Sequence, residues 1–216
     1  MKPAAAPLAA LLALAGCALA GCAPDPEPAA PPAAPPGSTF RPDAGPEAAT
    51  PDDDVATAVL AALDGSGASG TVTFRAVDDA VRVRVEGLTP GEHGLHVHEG
   101  ASCAPDSAGT PGGAAGPHLN PLAAPHGAPT ADRLDRHAGD LGNVTAGPDG
   151  VAAGLVVDSL LALSGPTSVL GRTVVVHAGP DDLASQPEGA AGARVACGVV
   201  REGPPPAPPA PPPPGG

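Results

Sequence analysis

Residues 55–202 of this 216-residue chain predict an all-β fold, an antiparallel sandwich or barrel with long ordered loops. Three observations predict it. Short alternating or β-branched runs recur at 55–63, 71–76, 81–85, 93–98, 151–157, 173–177 and 195–200, each of strand length. No segment reads as a convincing long helix, and seven or eight short strands without one pack as a sandwich or close as a barrel. Aromatic residues are nearly absent, with only Phe40 and Phe74, so the core is built from Val, Leu and Ala, which suit a pleated surface.

The chain begins with Lys2 and an apolar Ala/Leu run from Leu8 to Ala20, too short for a membrane span and patterned as a signal peptide over residues 1–21. Leu14-Ala15-Gly16-Cys17 and Leu19-Ala20-Gly21-Cys22 both resemble the lipobox of bacterial lipoproteins. Cleavage before Cys22 leaves the longer apolar stretch in the signal, so Cys22 is favoured over Cys17 for lipidation. An ordinary secretory signal is the alternative. Either way the expectation is export to the cell envelope or periplasm, with the membrane touched only through an N-terminal lipid anchor.

Residues 22–54 are Pro, Ala and acidic residues without apolar periodicity; they read as a disordered, semi-rigid tether. Stretched as polyproline II it would reach ~100 Å. In the domain that follows, Asp64-Gly65-Ser66-Gly67 and Asp78-Asp79 mark turns between the first three strands. The stretch from about Gly100 to Asp140 has no strand pattern and is rich in Gly, Pro and Ala. A loop of that length inside a domain needs something to order it. Residues 203–216 are almost pure Pro, Gly and Ala and read as a second disordered tail.

Export leaves Cys103 and Cys197 as an even pair in an oxidising space, which favours a disulfide over metal ligation because neither has a Cys or His beside it. On loop-closure entropy a bridge across that span stabilises by roughly 4–5 kcal/mol. The net charge is −13, and removal of Lys2 with the signal leaves nine arginines against 23 acids, a net of −14. That argues against nucleic acid and against an anionic membrane surface as partners.

Histidine carries the chemistry. His96 and His98 lie two apart on a predicted strand, so both rings point to one face and can share an ion. His118, His126, His137 and Asp140 follow within 23 residues, and His177 stands apart in Val174-Val175-Val176-His177. These donors suffice for two ions, with one carboxylate oxygen completing the second. They also supply the reason for the long loop to be ordered. His93, three and five residues before the strand pair, faces the other way on a continuing strand and reads as a buried, hydrogen-bonded side chain.

Four segments together resemble the copper–zinc superoxide dismutase family: Gly94-Leu95-His96-Val97-His98-Glu99, Gly116-Pro117-His118-Leu119-Asn120-Pro121, His137-Ala138-Gly139-Asp140-Leu141-Gly142-Asn143 and Gly192-Ala193-Arg194-Val195-Ala196-Cys197-Gly198. The resemblance spans nearly all of 55–202 and is closest to bacterial, exported members. It implies a Greek-key, immunoglobulin-like β-sandwich with metal-binding loops, and an enzyme that converts superoxide to dioxygen and hydrogen peroxide. It implies copper on His96, His98, His118 and His177, and zinc on His118, His126, His137 and Asp140. His118 would bridge the ions and pass a proton to the departing peroxide. Arg194 would dock superoxide at the copper mouth. Asp181 would link a copper histidine to a zinc histidine, with the adjacent Asp182 as the other candidate. Two divalent ions and one fixed Arg can make a local positive funnel in an acidic protein, because remote carboxylates are screened beyond about 8 Å. The run 104–115 carries no readable motif, and no Lys stands between Asp182 and Gly192 to steer an anion. The strands leave monomer and homodimer both open.

Overall fold

A computed structural model describes residues 39–42, 55–63 and 65–207. These lie in the second of two units of the chain, Pro32–Gly216; the first is Met1–Pro31. The expected signal peptide, both candidate lipidation cysteines, most of the tether and the end of the tail fall outside the described residues.

Nine strands run through the described residues: β1 (Arg41–Pro42), β2 (Val55–Ala62), β3 (Ser69–Arg75), β4 (Ala80–Glu86), β5 (Gly91–His98), β6 (Asp140–Ala146), β7 (Ala152–Val157), β8 (Thr173–His177) and β9 (Arg194–Glu202). Their order is β1-β7-β4-β3-β2-β9-β8-β5-β6, and every pairing is antiparallel. The crossovers that set β7 beside β4, β8 beside β5 and β9 beside β2 give a Greek-key, nearly closed barrel or sandwich. One 3-10 turn, Gly113–Ala115, is the only helical element among the described residues.

The core is what strand alternation predicts. Val72, Val83, Val85, Leu95, Val97, Val144, Val156, Val174 and Val176 point inward and are fully buried. On β5 the alternate residues His96 and His98 are buried as well, because the loop after β5 covers its outer face. Backbone hydrogen bonds stitch that loop down: Leu119 N–H to Val97 O (2.8 Å), Gly139 N–H to Leu119 O (2.9 Å) and Val97 N–H to Gly139 O (2.9 Å). Both ligand-bearing stretches of the loop are thereby held against the strand that carries the His pair.

Two strands were not legible in the sequence. β6 reads Asp-Leu-Gly-Asn-Val-Thr-Ala, and its polar residues are spent on partners elsewhere, so alternation is lost. Asn143, for example, exchanges hydrogen bonds with the backbone of Asp181 at 2.7 and 2.8 Å. β1 lies inside the segment expected to be a disordered tether, and it corrects that expectation over Thr39–Pro42. Arg41 and Pro42 pair with Leu155 and Gly154 on the outer edge of β7, and Phe40 is only 3% exposed. Its ring sits where a Cβ on Gly154 would be, so glycine at that position makes the docking possible.

Candidate metal centre

His96 and His98 project from the outer face of β5, and His177 ends the neighbouring β8, whose Val175 and Val176 pair with His96 and Leu95. His118 enters from the loop, opposite His98 in an isolated bridge. One ring nitrogen from each of these four converges within 4.8 Å. The remaining nitrogens are taken. His98 Nδ1 donates to Gly116 O at 2.8 Å and His177 Nδ1 donates to Gly192 O at 3.1 Å; a carbonyl only accepts, so the proton sits on Nδ1 and Nε2 keeps its lone pair. His96 Nε2 bonds Asp181 Oδ2 at 2.7 Å.

What is left over is diagnostic. His96 Nδ1, His98 Nε2, His118 Nε2 and His177 Nε2 are buried without any hydrogen-bond partner. Four orphaned acceptors facing one point would cost roughly 1–3 kcal/mol each if nothing bound there. Imidazole nitrogen suits copper, and the donor set fits it. Burial holds His96, His98 and His177 neutral, the state that ligates: His96 is lowered to about 4 despite its bond to Asp181. His177 is lowered to about 3 by burial and the neighbouring His96. His98 is pushed well below its ordinary value by burial and His118.

The second cluster shares His118. Around Asp140 Oδ1 lie His118 Nδ1 at 2.8 Å, His126 Nδ1 at 3.1 Å and His137 Nδ1 at 3.1 Å, and His137 Nδ1 is 3.4 Å from His118 Nδ1. A tetrahedron with bonds of about 2.0–2.1 Å has edges of about 3.3 Å, so these separations fit a closed zinc shell. Asp140 Oδ2 is held by the N–H groups of His137 (2.9 Å) and Gly127 (3.0 Å). Burial would raise the Asp140 pKa, but its bonds to His118, His126 and His137 hold it well below the carboxylate range. Burial likewise acts against charge on His126, yet Asp140 and Asp181 outweigh it and raise that ring to about 10.

Asp181 ties the clusters together. Its Oδ2 meets His96 Nε2 at 2.7 Å and its Oδ1 meets His126 Nε2 at 2.9 Å. Asp182 is exposed and instead caps a turn through the N–H groups of Ala184 and Ser185. Asp181→Asn keeps the shape but removes one acceptor and the charge. It is expected to weaken metal binding by roughly 10–100-fold, read by chelator competition; unchanged affinity would mean that the carboxylate does not orient the rings.

Several contributors have no sequence signature. Gln186 clamps the backbone of His126 by accepting from its N–H and donating to its C=O, both at 2.8 Å. Arg136 is buried beside the second cluster, donating to Asp140 O at 3.2 Å and pairing with Asp158 at 2.7 Å. Only its burial reveals it. His93 lies outside both clusters, bonded to His177 O at 2.7 Å and Thr89 O at 2.8 Å. Cys103 and Cys197 form a disulfide, with Arg194 three residues before it on β9. Arg194 donates to Gly112 O at 2.7 Å and Gly116 O at 2.8 Å.

The family model for copper/zinc superoxide dismutase (SODC) matches residues 68–200, well over half of the chain. The chain belongs to the copper/zinc superoxide dismutase family. As a member of the copper/zinc superoxide dismutases it is an oxidoreductase acting on superoxide, with copper and zinc as cofactors. The match begins just before β3, so β1 and β2 lie outside it. The disulfide fits an oxidising, extracytoplasmic setting.

Proposed function

We propose that His96, His98, His118 and His177 hold copper, that His118, His126, His137 and Asp140 hold zinc, and that His118 transfers a proton during turnover. The observation that carries this reading is the pair of nitrogens on His118, one orphaned among the first four rings and one beside Asp140. When bound, copper supplies the one-electron exchange and zinc a fixed divalent charge. Two superoxide anions and two protons then yield one dioxygen and one peroxide.

The chain's own groups do the rest. Arg194, 14% exposed at its side chain, docks superoxide through guanidinium N–H groups. His118 takes a proton at Nε2 and gives it to the departing peroxide, and Asp140 keeps Nδ1 facing the second cluster. Asp181 fixes the orientation of His96 and His126. Residues 1–21 and Cys22 read as an export signal and lipid anchor, so the enzyme would protect the cell envelope from superoxide arising outside the cytoplasm.

Metal analysis of the mature protein beside a superoxide-consumption assay, with and without chelation, tests the assignment. Two ions per chain and chelator-sensitive turnover are expected; bound metal without turnover would make this a binding module instead. Arg194→Ala is expected to lower the second-order rate by roughly 10–100-fold with copper and zinc content unchanged. Loss of both metals in that variant would assign Arg194 a structural role.

A further inference from the structure

Six of the seven residues in the two clusters are set in place by the backbone. His96 and His98 lie on β5, His177 on β8 and Asp140 on β6. His118 faces His98 in a bridge, and His137 O accepts the Asp140 N–H at 3.3 Å. His126 is the exception. It sits between Pro125 and Gly127 in a stretch without strand or helix. No backbone group among the described residues bonds its N–H or its C=O. Yet His126 is only 3% exposed, and a buried peptide group needs partners.

Both partners come from one side chain, 60 residues away in the sequence. Gln186 Oε1 accepts the His126 N–H and Gln186 Nε2 donates to His126 O, each at 2.8 Å. The carboxamide thus does for His126 what a neighbouring strand does for a paired residue, which exchanges both of its bonds. A primary amide suits the task because it carries an acceptor and two donors on one planar group. The second donor ties Gln186 to its own loop, at Ala184 O, 3.1 Å away. That loop is closed on itself by Asp182 N–H to Gly189 O at 2.9 Å and Gly189 N–H to Ser185 O at 2.7 Å. It lies directly over His126: a Cβ at Gly189 would come within 2.6 Å of His126 Nε2. His126 therefore has two separate holds. Asp181 fixes the ring at Nε2, and Gln186 fixes the backbone.

We propose that Gln186 is a positioning residue for the zinc cluster. By supplying both backbone partners of His126 it keeps Nδ1 of that ring aimed at the point shared with His118, His137 and Asp140. This rests on the zinc reading given above. The copper-side residues His96, His98 and His177 are held by strands instead, so the effect falls on zinc. Gln186 is itself exposed, and its truncation removes two hydrogen bonds to His126 without emptying the core.

The test uses the full chain carrying copper and zinc. Zinc release into a chromophoric chelator is timed while the visible copper band is followed in the same sample. Gln186→Ala is expected to release zinc about 10-fold faster, at the lower end of what an outer partner of a ligand contributes. Gln186→Met keeps the length of the side chain but neither bond, and should match it. The copper band before zinc leaves, and the thermal midpoint of the metal-free chain, should stay at parental values in both variants. Parental zinc release in both variants overturns the proposal. Parental release in Gln186→Met alone also overturns it, because packing would then account for the effect. A metal-free midpoint that falls in step with zinc loss assigns Gln186 a structural role and overturns it too. A parent chain that takes up a single ion sinks the zinc assignment and the proposal together, whereas two ions in the parent with unmoved variants sink the proposal alone.

Discussion

His118→Ala is expected to lose most superoxide turnover and to release zinc, because one ring serves two clusters. Its Nε2 is one of the four buried nitrogens without a hydrogen-bond partner in the first cluster, and its Nδ1 lies 2.8 Å from Asp140 Oδ1. Removal takes a donor from each cluster and, on the mechanism proposed above, deletes the proton carrier. A positioned acid–base group contributes about 10²–10⁴-fold, so the rate should fall by at least about a hundredfold. Zinc affinity should fall by more than the roughly 10–100-fold typical of losing an outer partner. Rapid superoxide decay measurements and zinc retention under chelator competition check the two halves separately. Retention of both metals with parental turnover would show that the ring bridges nothing.

Reduction of the Cys103–Cys197 bridge is expected to cost more stability than any single surface change. The bridge closes 94 residues of chain, which on loop-closure entropy is about 4–5 kcal/mol. For a domain of this size each kcal/mol moves the midpoint by about 2–4 °C, so reduction should lower it by roughly 10–20 °C. Cys197 is buried on β9 beside Val175 and Ala115, so Cys197→Ser also puts a hydroxyl into an apolar cluster and should be worse than reduction. The Arg194 segment should loosen before the core does, visible as faster amide exchange at Ala193–Val195 than at Val174–Val176. An unchanged midpoint on reduction would mean that the barrel alone sets the stability.

Much of the architecture was open to reading because β-branched runs and turn residues are local signals. The seven predicted runs coincide with β2, β3, β4, β5, β7, β8 and β9 to within a few residues. Histidine was equally legible: it is scarce, and its pairing at 96 and 98 needs only the strand repeat to put both rings on one face. β6 was hidden because Asp140 and Asn143 answer to partners across the molecule rather than to a local pattern. Arg136 and Asp158 were hidden for a related reason, since charged residues are read as solvated until burial is known. The carbonyls of Gly112, Gly116 and Gly192 are the extreme case. A backbone oxygen has no letter of its own, and only the folded path of the chain aims it at a ring or a guanidinium.

The short strand β1 has a mechanical meaning. Any tug on the upstream chain reaches the barrel first through Phe40 and the pairing of Arg41 and Pro42 with β7. A two-residue pairing peels open under far less force than the seven-residue seam of β3 with β4. Under such a pull this pairing would open before the strands that carry the two clusters.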